Sequence, residues 1–290
     1  MRKLGIALAV LLNLSALLLY AALRDREARP AVGERRVARP DGGRLHYFAA
    51  GPEDGAVVAL FPGYARSASD FNELVSALNQ AGHRTLALQP RGVDGSALSF
   101  PDDLHGYAED LRAMLDAEDV TRPVVVCGHA YGNRVARSFA SRFPDRTRGL
   151  VLLAAGGADP TPPEMTRAIG RAMLGVWPEG TRRAATERAF FAKGHPVPDA
   201  WMRGWYPLAG LAQSGANQTP WAEWGAGGSA PVLVVQPAED AVAPRGGPEL
   251  ARRFPERVTL VSVPRAGHAL LPEQPEAVAR AVLAFLGSLP

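Results

Sequence analysis

Short apolar runs alternate with amphipathic stretches along most of the chain. Val, Leu and Ala dominate Ala56–Phe61, Arg84–Leu88, Pro123–Cys127, Gly149–Ala155, Pro231–Gln236 and Val258–Val263. Runs of this length with so little polar interruption predict strands buried on both faces. Arg44–Ala50 predicts one more. Between them Ser69–Ala81, Leu104–Ala117, Asn133–Phe143 and Pro275–Leu286 place apolar residues at helical spacing. The alternation predicts an α/β domain: a mostly parallel sheet flanked by helices, with its sites at the C-terminal ends of the strands.

Residues 159–228 break the alternation. They hold no strand pattern but contain every tryptophan: Trp177, Trp201, Trp205, Trp221 and Trp224. A helical cap inserted between two strands is the expectation. Trp201, Trp205 and Tyr206 sit at helical spacing. They either line an apolar ligand pocket or fasten the cap to the core.

The first residues read differently. Arg2 and Lys3 precede the apolar run Leu4–Leu23, which Arg24-Asp25-Arg26-Glu27 ends. Twenty helical residues span about 30 Å, the thickness of a bilayer's hydrocarbon core. Leu19 or Tyr20 stands where a cleavage site wants a small residue, which favours an uncleaved signal-anchor over a removed signal peptide. Residues 1–24 are thus expected to tether the chain in the cell envelope, with the domain on the outer side. Residues 25–41, rich in Arg, Pro and Glu, read as a linker. The remaining segments divide into a core (42–158 and 229–290) and a cap (159–228).

Composition narrows the classes further. The net charge is +3, but lysine occurs only at Lys3 and Lys193 and the arginines are interleaved with Asp and Glu. A nucleic-acid binder needs its cations gathered on one face, so none is expected as partner. Cys127 is the only cysteine and excludes an intrachain disulfide.

The chemistry concentrates in VVVCGHAYGNRVARSFA, Val124–Ala140. It reads as a strand, a glycine-bounded turn and a helix. That is the G-x-S-x-G nucleophile elbow, in which a strained turn raises one side chain into the site. The central residue here is Ala130, a methyl group that can neither attack a carbonyl nor yield a proton. Asp240 follows the strand ending at Gln236, and His268 follows the strand ending at Val263. A carboxylate and a histidine on two such loops, in that order after an elbow, form the supporting part of a hydrolytic triad. Backbone N–H groups of Tyr64 and Tyr131 are the expected oxyanion donors. Ser67, Ser69 and Ser96 are nearby hydroxyls read as caps or packing residues. Cys127 precedes the turn and reads as a buried apolar residue.

Together LFPGYARSASDF, LQPRGVDGSALSF, VVVCGHAYGNRVARSFASRFPDRTRGLVLLAAGG, VLVVQPAEDAVAP and RAGHALLPEQPEAVARAVLAFL resemble the α/β-hydrolase superfamily, in its capped branch of esterases, epoxide hydrolases and haloalkane dehalogenases. The resemblance covers residues 42–290. It implies an eight-stranded, mostly parallel sheet under a helical cap, and catalysis with neither metal nor organic cofactor. It assigns Asp240 as acid, His268 as base, and Tyr64 and Tyr131 as oxyanion donors. Pro62 stands where a His usually precedes Gly63, and Ala130 replaces the nucleophile. Losing a triad's nucleophile costs about 10⁶-fold in turnover, so ordinary serine esterase activity is not expected. Three readings follow: general-base chemistry on a small, mostly apolar molecule without an acyl-enzyme, a ligand-binding protein without catalysis, or a serine hydrolase whose serine has been exchanged by engineering.

Overall fold

The computed structural model describes residues 12–17, 19–20, 28–39 and 41–290. An eight-stranded sheet organises it, in the order β1-β2-β4-β3-β5-β6-β7-β8. The strands are β1 (Glu34–Ala38), β2 (Arg44–Ala50), β3 (Val57–Phe61), β4 (Arg84–Leu88), β5 (Val124–His129), β6 (Thr147–Leu153), β7 (Val232–Pro237) and β8 (Val258–Val263). β2 runs antiparallel to both β1 and β4, and every other pair is parallel.

The continuous apolar strands serve two cores at once, because successive side chains leave opposite faces. Ala59 and Phe61 of β3, with Val124 and Val126 of β5, pack on one face against α2 (Leu104–Ala117) and α3 (Tyr131–Arg142). Val58 and Leu60, with Val125 and Cys127, pack on the other against α1 (Asn72–Gln80) and α9 (Pro275–Ser288). Asp103 caps α2 by accepting from the Gly106 amide at 3.0 Å, satisfying one of the amides that a helix start leaves without a partner.

The expected linker is corrected at residues 34–38, which form β1 and pair with β2 from Glu34↔Phe48 to Ala38↔Arg44. Its side chains are mostly exposed. The strand is held by ladder hydrogen bonds at a sheet edge, and ERRVA carries no apolar alternation to announce it. The anchor expected at residues 4–23 lies largely outside the described residues, of which 12–17 and 19–20 are helical. Among the described residues no helix is long and apolar enough to cross a membrane.

Between β6 and β7 come α4 (Pro163–Met173), α5 (Glu179–Phe190), α6 (Asp199–Met202), α7 (Pro207–Ala216) and α8 (Trp221–Trp224). They lie over the C-terminal ends of the strands. A buried ion pair locks them there. Arg66, on the loop after β3, grips Asp70 through two hydrogen bonds of 2.8 and 2.7 Å. Two more of its N–H groups donate to the carbonyls of Arg203 and Ala200 in the cap, at 2.9 and 3.2 Å. The same guanidinium lies 4.4 Å from the ring centroid of Trp201 and 4.7 Å from that of Trp205, a favourable face for a cation. Arg66→Ala strands the Asp70 carboxylate in the interior. Denaturant titration should show a loss of about 3–5 kcal/mol, and Arg66→Met/Asp70→Leu should recover most of it, because removing both charges leaves none uncompensated.

Candidate active site

Gly128 and Gly132 make the turn between β5 and α3 possible. A β-carbon on Gly128 would fall 2.2 Å from the Gly132 carbonyl oxygen, and one on Gly132 would fall 2.0 Å from the carbonyl oxygen of Phe61. Only glycine lets helix and strands approach this closely. Ala130 sits between them at φ 50°, ψ −110°, a conformation costing about 1–3 kcal/mol for a residue with a β-carbon. Its amide donates to Leu153 O at 2.9 Å, and its carbonyl accepts from the Asn133 amide at 3.2 Å and from the Asn133 side chain.

The turn floors a cavity of about 400 Å³ between core and cap. Ala130, Tyr64, Tyr131, His129 and His268 line its core side, with Trp201, Trp205 and Phe190 on the cap side. Tyr131 opens α3, so its amide has no carbonyl one turn earlier within the helix. The next amide in the β3 loop, that of Ala65, is tied to Gln213 Oε1 at 2.7 Å. Trp201 and Trp205 line the cavity and lie against the Arg66 guanidinium of the core. Within the cap they pack on Phe190, with ring centroids 5.2 and 5.4 Å away. Tyr206 is corrected: it does not line the cavity but is buried against Val93 and Ala209. Its amide donates to Ala65 O, which turns the residue after the short helix toward the core instead of the pocket.

His268 and Asp240 meet. Nδ1 of His268 lies 3.0 Å from each carboxylate oxygen of Asp240, and both side chains are buried. A carboxylate only accepts, so Nδ1 carries the proton and Nε2 is the basic nitrogen available to the cavity. Burial by itself would raise the Asp240 pKa. The His268 imidazole and the amides of Ala243 and Val242, which donate to Oδ1 at 2.8 and 2.9 Å, outweigh it and hold the carboxyl below its usual range.

The other candidates are spoken for. Cys127 is fully buried in the core on the opposite face, away from the cavity, and burial pushes its thiol up. Ser67 Oγ accepts from the Ser69 amide and bonds to Gln89, and Ser96 Oγ donates to Gln89 O. Among the described residues no cluster of His, Cys, Asp or Glu is arranged to hold a metal.

Three contributors to the site were not singled out from sequence. His129 stands beside Ala130 in the elbow pentapeptide. Its Nε2 donates to His268 O at 2.8 Å and pins the loop that carries the dyad's imidazole. Glu273 accepts from the amides of Gly267 and Ala192 at 2.6 and 2.7 Å, clamping that same loop to the cap. Arg134 lines the cavity one helical turn beyond Ala130. Position relative to the elbow was the available signal for the first and last. Glu273 offered none, since its partners are backbone amides, one of them 81 residues away.

His129 has a measurable consequence. Nδ1 is buried with no partner, so a second ring proton would find no acceptor. Burial, reinforced by the charge of His268, depresses the pKa from its ordinary 6.5 to about 4. Between those values the unfolded chain binds the proton and the folded chain does not, so stability falls as pH drops from about 6.5 towards 4. The full linkage amounts to about 3 kcal/mol. Unfolding free energies measured across that window should fall less steeply in His129→Gln than in the parent protein. Equal slopes would show that His129 does not titrate this way.

The profile of the Alpha/beta hydrolase family matches residues 57–281. The non-heme chloroperoxidase of Streptomyces lividans is 27% identical over 280 residues, covering 87% of this chain and 99% of that protein. A candidate carbamate hydrolase of Variovorax paradoxus (strain S110) is 38% identical over 113 residues, but the match spans only 38% of this chain and 42% of that protein. Among solved structures, an esterase from Rhodococcus sp. ECU1013 superposes with a TM-score of 0.73 at 20% identity, over 89% of this chain and 100% of that one, a likeness of fold. An eight-stranded sheet with a glycine-flanked turn beneath a helical cap, together with a profile match over most of its length, places the chain in the alpha/beta hydrolase family.

Proposed function

We propose that this chain acts on a small molecule, apolar over most of its surface, held under the cap. His268, oriented by Asp240, serves as general base, and no acyl-enzyme forms because Ala130 offers no nucleophile. One observation carries the reading: a buried imidazole, bonded through Nδ1 to a buried carboxylate, lines the same cavity as the methyl of Ala130. A bound water, or an acidic C–H of the substrate, is the proton source that Nε2 would draw on. The amides of Tyr64 and Tyr131 would stabilise the oxyanion, with the positive end of α3 behind them. Hydrolysis by water and lyase-type chemistry both fit this arrangement. Residues 4–23 would tether the domain at the outer face of a membrane.

A non-catalytic binding protein is the second reading. It explains the cavity, but gives no reason for a carboxylate kept ionised in the interior against its own burial penalty and aimed at an imidazole.

Restoring the missing atom tests the machinery without knowledge of the natural substrate. Ala130→Ser should hydrolyse p-nitrophenyl acetate about 10³-fold faster than the parent chain and show an acylation burst. Adding His268→Ala or Asp240→Asn to that variant should remove most of the gain. Intact-mass spectra should show an acyl adduct with Ala130→Ser and none with the parent. No gain from the serine would mean that the dyad and oxyanion donors are not assembled for catalysis.

A further inference from the structure

Two arginines line the cavity, and they differ in one respect. Arg66 is neutralised by Asp70, with two more of its N–H groups on cap carbonyls. Arg134 makes neither a hydrogen bond nor an ion pair among the described residues, and its guanidinium carbon lies 5.3 Å from the ring centroid of Trp224. The adjacent cation on α3, Arg137, is also without a carboxylate, but it is satisfied differently. Its guanidinium donates to Asn133 Oδ1 and Gly156 O, both at 2.7 Å. Arg134 alone of the three has no donor engaged in a hydrogen bond among the described residues. No Asp or Glu lines the cavity to neutralise it.

Its surroundings point the same way. Burial lowers the Arg134 pKa, partly offset by the neighbouring Tyr131 hydroxyl. That hydroxyl is itself buried and without a partner. Across the cavity Asn217 presents a side-chain oxygen with no partner, on an amide whose two ends are interchangeable by rotation. A guanidinium partly removed from water, with five donors and no acceptor, is costly unless a ligand supplies the acceptor.

We propose that Arg134 is the anion-recognition residue of the cavity and that the substrate carries a carboxylate. The inference rests on the preceding reading only in taking this cavity as the ligand site. A carboxylate accepts two parallel N–H bonds from one guanidinium, and a single uncompensated cation matches a monoanion. Arg134 is four residues beyond Ala130, in the first turn of α3, and lines the same cavity. The carboxylate therefore sits a few bonds from the reacting centre, with the apolar body of the molecule against Trp201, Trp205 and Phe190. Arg134 fixes which end of the substrate faces His268.

Calorimetric titration with butyrate, hexanoate and 3-phenylpropionate, each paired with its primary amide, tests this directly. The parent protein should bind at least one acid about tenfold or more tightly than its amide, and Arg134→Gln should erase that preference while leaving amide binding unchanged. Arg134→Lys should restore part of it, since the charge returns without the planar fork. His268→Ala should keep it. The proposal is overturned if no acid binds, if acids and amides bind alike, if Arg134→Gln retains the preference, or if His268→Ala loses it. An inert Ala130→Ser together with an intact acid preference would sink the catalytic reading and leave the anion site standing.

Discussion

The turn from Gly128 to Gly132 is the constraint on which the site depends. Two missing β-carbons let α3 start almost in contact with β3, and that contact forces Ala130 into a conformation unfavourable for any residue with a side chain. The strain has a structural return: Tyr131 and Arg134, in the first turn of the helix, line the space under the cap. The geometry comes from backbone packing. It therefore persists with a methyl at its apex.

Two further arrangements give that turn something to work with. The Asp240 carboxylate is fixed by backbone amides before it meets His268, so the imidazole is held by a partner that is itself held. The loop carrying His268 is then pinned twice more, by His129 from the elbow and by Glu273 from the C-terminal side. The cap is fastened further through Arg66, Asp70 and the stacked tryptophans. Elbow, imidazole and cap are thus tied to one another around one cavity.

The parts legible in the sequence were those with a local signature. Apolar runs marked the parallel strands because burial on both faces removes polar residues from them. The elbow was readable because its glycines are required at fixed offsets, and Asp240 and His268 because each follows a strand end. What stayed hidden depends on distant partners. Glu34–Ala38 is ordered by hydrogen bonds to β2 rather than by its own pattern. Glu273 works through amides of Gly267 and Ala192, for which no sequence mark exists. Tyr206 directly follows Trp205, and both lie beyond the short helix, yet the bond from the Tyr206 amide to Ala65 O carries Tyr206 into a different cluster. Past a helix end, spacing along the chain no longer fixes which face a side chain joins.

The central claim is that a carboxylate holds the His268 ring with its basic nitrogen toward the cavity. Nitrogen-15 NMR of the labelled protein reads the tautomer directly. The account predicts His268 protonated at Nδ1, with a strongly deshielded proton there that Asp240→Asn abolishes. A ring protonated at Nε2, or one averaging freely between tautomers, would contradict it.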